Sequence, residues 1–88
     1  VLMILTEART VALNFGTPQQ RDIDIAGAAE IRSYQAQGQF PAGSMGPKID
    51  AALRFLDGGG KRVVIGSIDQ AVPALRGEAG TQILADND

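Results

Sequence analysis

Between Gly38 and Gly60 the chain reads GQFPAGSMGPKIDAALRFLDGGG, and this stretch leaves few choices for what surrounds it. Met45, Ile49, Ala52, Leu53 and Leu56 recur at i, i+4, i+7, i+8 and i+11, one apolar stripe at helical period. Pro47 sets φ for a helix start and Gly58-Gly59-Gly60 stops it, so the spacing predicts a helix over about Met45 to Asp57. A helix with one apolar face needs a layer to cover it. Short apolar runs supply that layer, Val1 to Leu5 at the start and Val63 to Gly66 just after the glycines. Both read as strands buried on two faces, as in a parallel sheet, and the order strand, helix, strand predicts a βαβ-like unit.

The remaining segments fit the same class. Val11 to Asn14 reads as a strand, ended by Phe15-Gly16-Thr17-Pro18. Gln19 to Ala28 is ambiguous, with Ile23 and Ile25 alternating against Asp22 and Asp24 in strand fashion. Ala28 to Gln37 holds good helix formers, and Gly38 closes it. Asp69 is expected to cap a short helix through Leu75, and Thr81 to Leu84 to form the last strand before a polar tail that frays. The expected architecture is α/β: four or five short strands in an open, mostly parallel sheet sandwiched by three helices. Ligands of such sheets bind beyond the carboxyl ends of the strands. Thr6-Glu7 and the Gly43–Lys48 loop are expected to converge there.

Gly43, Ser44, Met45 and Gly46 leave a backbone that a ligand can approach, and Pro47-Lys48 opens the helix with an ammonium on its first turn. Free N–H groups, a hydroxyl and a lysine at a helix N-terminus suit a phosphate. The competing reading is a common glycine turn with Lys48 turned to water. Composition narrows the chemistry. With no Cys and no His, thiolate and imidazole catalysis and zinc sites built on them are excluded. Lysine, arginine, carboxylates, hydroxyls and backbone dipoles remain, a set that suits phosphoryl transfer. Eight basic and ten acidic residues are spread evenly, with one Tyr and no Trp, which argues against nucleic acid. No apolar run approaches the roughly 18 residues of a membrane span. Asp22, Asp24 and Glu30 read as a solvated face, not metal ligands, Asp50 and Arg54 as a helical ion pair, and Tyr34 and Phe40 as packing residues.

Four segments occur in one order: Ile4-Leu5-Thr6-Glu7, Leu13-Asn14-Phe15-Gly16-Thr17-Pro18-Gln19-Gln20, Gly38 to Lys48 (GQFPAGSMGPK), and Gly77-Glu78-Ala79-Gly80-Thr81. As a set they resemble the C-terminal, ATP-binding part of carbamate kinases, in the amino-acid kinase superfamily. The resemblance covers essentially residues 1–88 as one nucleotide-binding segment. It implies reversible phosphoryl transfer between ATP and carbamate, giving ADP and carbamoyl phosphate, with Mg²⁺ and no covalent intermediate. It further implies a cytoplasmic, homodimeric parent enzyme of arginine metabolism. Lys48 would neutralise the ATP phosphates as the catalytic residue, and Thr6, Glu7 and Gly43 to Lys48 (Gly43, Ser44, Met45, Gly46, Pro47, Lys48) would line the nucleotide cleft.

Three departures from the family's pattern bear on the nucleotide site. Where the family reads L-T-D-V-D-A-V-Y, this sequence has L-T-E-A-R-T-V-A: Glu7 for Asp, Arg9 for a second Asp, and Ala12 for an aromatic near the nucleotide. The glycine turns and lysine that hold the carbamoyl phosphate end in the family have no counterpart here. The chain opens without an initiator Met on an apolar run, and is expected to be the C-terminal part of a longer protein, inactive alone. Two other readings stand beside this one: a non-catalytic α/β remnant or interaction module, and a family member with another phosphate acceptor.

Overall fold

The computed structural model describes residues 1–40, 43 and 45–86. Strand β1 is Leu2–Thr6, β2 Val11–Leu13, β3 Arg21–Ile23 and β4 Ile25–Gly27. Helices α1 (Ala28–Ala36) and α2 (Gly46–Asp57) follow, then β5 (Arg62–Ser67), a 3₁₀ turn Ile68–Gln70, α3 (Ala71–Leu75) and β6 (Thr81–Leu84). The main sheet has the order β1-β5-β6-β4, with β1 parallel to β5 and β4 parallel to β6. Only the central pair, β5 and β6, is antiparallel. The α/β class and the mostly parallel sheet therefore hold, in a mixed sheet whose outer strands are β1 and β4. Strands β2 and β3 form a separate antiparallel ribbon.

Helices α1 and α2 pack on one face of the sheet. The α2 stripe is seated there: Ile49 and Ala52 are fully buried and Leu53 and Leu56 nearly so, against Val63, Ile65 and Ile83. Met45, the expected start, is half-buried beside them and takes the N-cap position, so the helix begins one residue later at Gly46. Asp50 and Arg54 do not form the expected pair. Asp50 instead accepts a hydrogen bond from Gln35 Nε2 of α1 at 2.6 Å, a partner that sequence spacing cannot show. Among the described residues the ion pair is Arg32–Asp57, which also links α1 to α2.

Helix α3 lies on the opposite face. An added Cβ on Gly66 would sit 3.4 Å from Ala74 Cβ, so α3 rests directly on β5 at that glycine. Asp69 falls inside the 3₁₀ turn and not at the cap of α3, which has no side-chain cap. Arg62 starts β5 and donates to the Leu75 carbonyl at the far end of α3. Gly80 enters β6 at φ +73°, where a Cβ would meet Ile65 O at 2.7 Å, so only glycine fits that bend.

The expectation that β1 is buried on both faces is corrected. It is an outer strand, none of its residues is fully buried, and Leu5 is 42% exposed. The register explains which side is open. Leu5 lies beside Gly66, so Leu5, Met3 and Val1 share the face on which α3 covers β5 but does not extend to cover β1. No helix among the described residues is long and apolar enough to cross a membrane.

One side chain of the sheet bonds to both strands of the ribbon. Thr81, fully buried, accepts from Val11 N at 2.8 Å and donates to Ile23 O at 2.5 Å. Ribbon residues Val11, Leu13 and Ile23 face the core, while Ala12 and Asp22, paired across the strands, face away from it.

Candidate functional site

A cleft of about 440 Å³ opens where the carboxyl end of β1 meets the start of α2. Three elements build it. The end of β1 and the turn after it contribute Thr6, Glu7 and Arg9, the ribbon and its loop contribute Ala12, Phe15 and Asp22, and Met45 and Lys48 enter from the start of α2. Gln39, from the connection between α1 and α2, closes one part of the wall. Thr6-Glu7 and the start of α2 thus converge, as the topology of an open α/β sheet predicts.

The residues singled out in the sequence fall into three groups. Thr6, Glu7, Met45 and Lys48 line the cleft. Gly43, Gly46 and Pro47 lie outside its lining: Gly46 is buried beneath, and Gly43 and Pro47 are exposed. Ser44 lies outside the described residues. Lys48 is half-buried on the first turn of a helix with no side-chain cap and no acidic residue in that turn. The N-terminal pole of α2 is therefore not neutralised by its own side chains, and the Lys48 ammonium adds to its positive field.

Asp22, expected on a solvated face, is exposed but lines the cleft, and Arg9 brings a second cation. Each cation is thus accompanied by a carboxylate, Glu7 or Asp22, and none of the four is engaged in an ion pair among the described residues. No three Asp or Glu side chains converge on a metal-sized site among the described residues. At the end of β5, Ser67 Oγ is buried without a partner at full hydrogen-bonding geometry. Its dipole nonetheless chiefly holds the Asp69 carboxyl below its ordinary value, opposed by partial desolvation and assisted by the Asp69 backbone and by Arg9.

Sequence reasoning missed Phe15, Gln20 and Gln39 as cleft residues. Phe15 could have been found by its position, an aromatic between Asn14 and Gly16 in a turn, where packing has no use for it. The two glutamines carry no local signal.

The fold and cleft define an α/β module with a positively charged helix start at the carboxyl end of its sheet, the layout of phosphate-handling α/β proteins. The comparisons sharpen this. No family model matches the chain. It is 44% identical over 84 residues to carbamate kinase of Thermococcus kodakarensis, and 48% identical over 83 residues to carbamate kinase 2 of Staphylococcus aureus. These matches take in 96% and 93% of the chain but 27% and 26% of the relatives. The structure of carbamate kinase from Giardia lamblia bound to AMP-PNP superposes with a TM-score of 0.93 at 41% identity, over 97% of this chain and 27% of that one. The chain is homologous to carbamate kinases along nearly its whole length, and it spans about a quarter of theirs.

Proposed function

We propose that residues 1–88 are the nucleotide-side, C-terminal segment of a carbamate-kinase-like phosphotransferase, with Lys48 as the phosphate-stabilising catalytic residue. The observation that carries this reading is the meeting of Thr6 and Glu7 with Met45 and Lys48 in one cleft of nucleotide size. The Giardia relative, whose structure is bound to AMP-PNP, supports a nucleotide as the ligand.

In the proposed reaction a carbamate oxygen attacks the γ-phosphorus of ATP. The bond from that phosphorus to the β,γ-bridging oxygen breaks, and ADP leaves with the bond's electrons. The protein's part is positioning and charge. Lys48 and the uncapped start of α2 would meet negative charge as it grows on the transferring group and on the departing ADP. Gly46 and Lys48 offer first-turn backbone N–H groups to the same end, whereas Pro47 has none to give. The residues present fit Mg²⁺ as a companion of the nucleotide and not as a resident ion. Glu7 and Asp22 would hold it, directly or through water, alongside the phosphate oxygens of the nucleotide. Bound there, Mg²⁺ would neutralise phosphate charge.

The acceptor half of the site has no counterpart in these residues, so the chain alone is proposed to bind nucleotide without turnover. The open row Val1, Met3 and Leu5, together with exposed Ile68, Val72 and Leu75, supports a longer parent in which further chain covers that face. A homodimeric parent, a cytoplasmic location and a role in arginine metabolism are proposed on the family resemblance alone.

The test is titration with Mg·ATP, followed by kinetics of Lys48→Ala in a chain that carries the preceding kinase portion. Loss of about 10²–10³-fold in kcat is expected for removing one such stabiliser. Equal affinity and equal rate in the variant would remove Lys48 from the mechanism.

A further inference from the structure

Four charged side chains line the cleft, the carboxylates of Glu7 and Asp22 and the cations of Arg9 and Lys48. Lys48 stands on the first turn of α2, and Arg9 comes from a different element, the turn that leaves β1. Two contacts hold that turn in place. Ala8 N donates to Thr6 Oγ1 at 3.4 Å, and Arg9 O lies 3.8 Å from where a Cβ on Gly66 would stand, so the turn rests on β5. Arg9 makes no ion pair among the described residues. Its charge is felt on both sides of the turn. Toward the cleft it faces Glu7 and Asp22, and toward α3 it helps Ser67, the larger influence, to hold the Asp69 carboxyl below its ordinary value.

The charges of the lining balance, two cations against two carboxylates. An aspartate at position 9, the residue of the family pattern, would leave three carboxylates against one ammonium. Arginine there, +1 for −1, raises the lining by as much charge as one Mg²⁺ brings. A nucleoside triphosphate without metal is a polyanion, and a cleft of net negative charge repels it. A balanced cleft at the uncapped start of a helix does not. The same guanidinium stands among the carboxylates that would hold the metal, and so weakens their pull on it.

We propose that Arg9 is a phosphate-binding residue that supplies part of the charge Mg²⁺ would bring, so that this cleft takes metal-free ATP nearly as well as Mg·ATP. This rests on the nucleotide reading above and assigns it a form of the ligand that the family resemblance does not imply.

The experiment titrates the 88-residue chain with ATP in EDTA and again in saturating Mg²⁺, at low and at moderate salt. The two affinities of the unaltered chain are expected to lie within about tenfold of each other. Arg9→Ala should weaken metal-free ATP about 5- to 50-fold and Mg·ATP less than about 3-fold. Arg9→Lys, which keeps the charge, should retain most of the metal-free affinity. Arg9→Asp should lose nearly all of it while still binding Mg·ATP. Added salt should weaken metal-free ATP more in the unaltered chain than in Arg9→Ala. Unchanged metal-free affinity in Arg9→Ala would overturn the role of Arg9 and leave the nucleotide reading standing. So would an unaltered chain that binds metal-free ATP more than about tenfold more weakly than Mg·ATP. Equal loss of both forms in Arg9→Ala would overturn it as well, because the residue would then act through the shape of the turn. If the unaltered chain binds ATP in neither form while its circular dichroism shows it folded, the nucleotide reading and the role of Arg9 fall together.

Discussion

Strands β1 and β5 lie side by side in parallel register, Leu2 against Val63 through Thr6 against Ser67, and their sequences are alike in apolar content. Their fates differ. Five of the six residues of β5 are buried, and none of the five in β1. β5 has a strand on each flank and helices on both faces, whereas β1 ends the sheet and is covered by α2 on one face only. Apolar content marks a segment as a strand. Its place in the strand order decides how much water it sheds.

That contrast can be broken at several points. The largest expected effect is Ile65→Ala in β5: loss of a fully buried side chain should cost about 2–5 kcal/mol, against a total of roughly 4–13 kcal/mol for a chain this size. Urea unfolding would show it as a lower midpoint with little change in slope. Next comes Gly80→Ala, which forces a Cβ toward Ile65 O from a left-handed backbone and should cost about 1–3 kcal/mol. Leu5→Ala in β1 should cost less than about 1 kcal/mol, because the side chain is already 42% exposed. In a chain extended by the preceding kinase portion, the same substitution should approach the cost of a core residue; an unchanged cost there would mean that nothing covers this face. The smallest effect sits just past the end of β5, at Asp69. Its carboxyl binds a proton more weakly folded than unfolded, so its contribution is present above the ordinary carboxylate range and is lost as pH falls through the depressed folded-state value. Carboxyl-detected NMR titration should show that value rising in Ser67→Ala, and rising less in Arg9→Ala.

The sequence showed most clearly those elements whose signal is local. The α2 stripe, the glycine stop and the apolar runs of β5 and β6 could all be read from spacing, because each repeats a period over several turns or ends on a residue with one conformational use. The ribbon could be read only in part: Val11 to Asn14 reads as a strand, but its antiparallel pairing with β3 does not show. Its strands have three residues each, and a seven-residue loop with its own turn bonds separates them. The antiparallel arrival of β6, the open face of β1 and the capture of Asp50 by Gln35 each depend on a partner far away in sequence. At the candidate site, Lys48 and Thr6-Glu7 were legible from motif and topology. The hydrogen bond from Asn14 N to Gln39 Oε1 joins residues 25 positions apart and had no signature at all.

Thr81 fastens the ribbon to the sheet through a single hydroxyl, bonded to Val11 on one strand and Ile23 on the other. A two-stranded ribbon has little stability of its own. Val11, Leu13 and Ile23 keep the ribbon seated in the core, so what the hydroxyl adds is direction: it fixes where this wall of the cleft stands against β6. Replacing Thr81 by Val, which keeps the shape and deletes both bonds, would leave two buried backbone groups seeking partners. One wall of the cleft is thus held in place by a residue outside its lining.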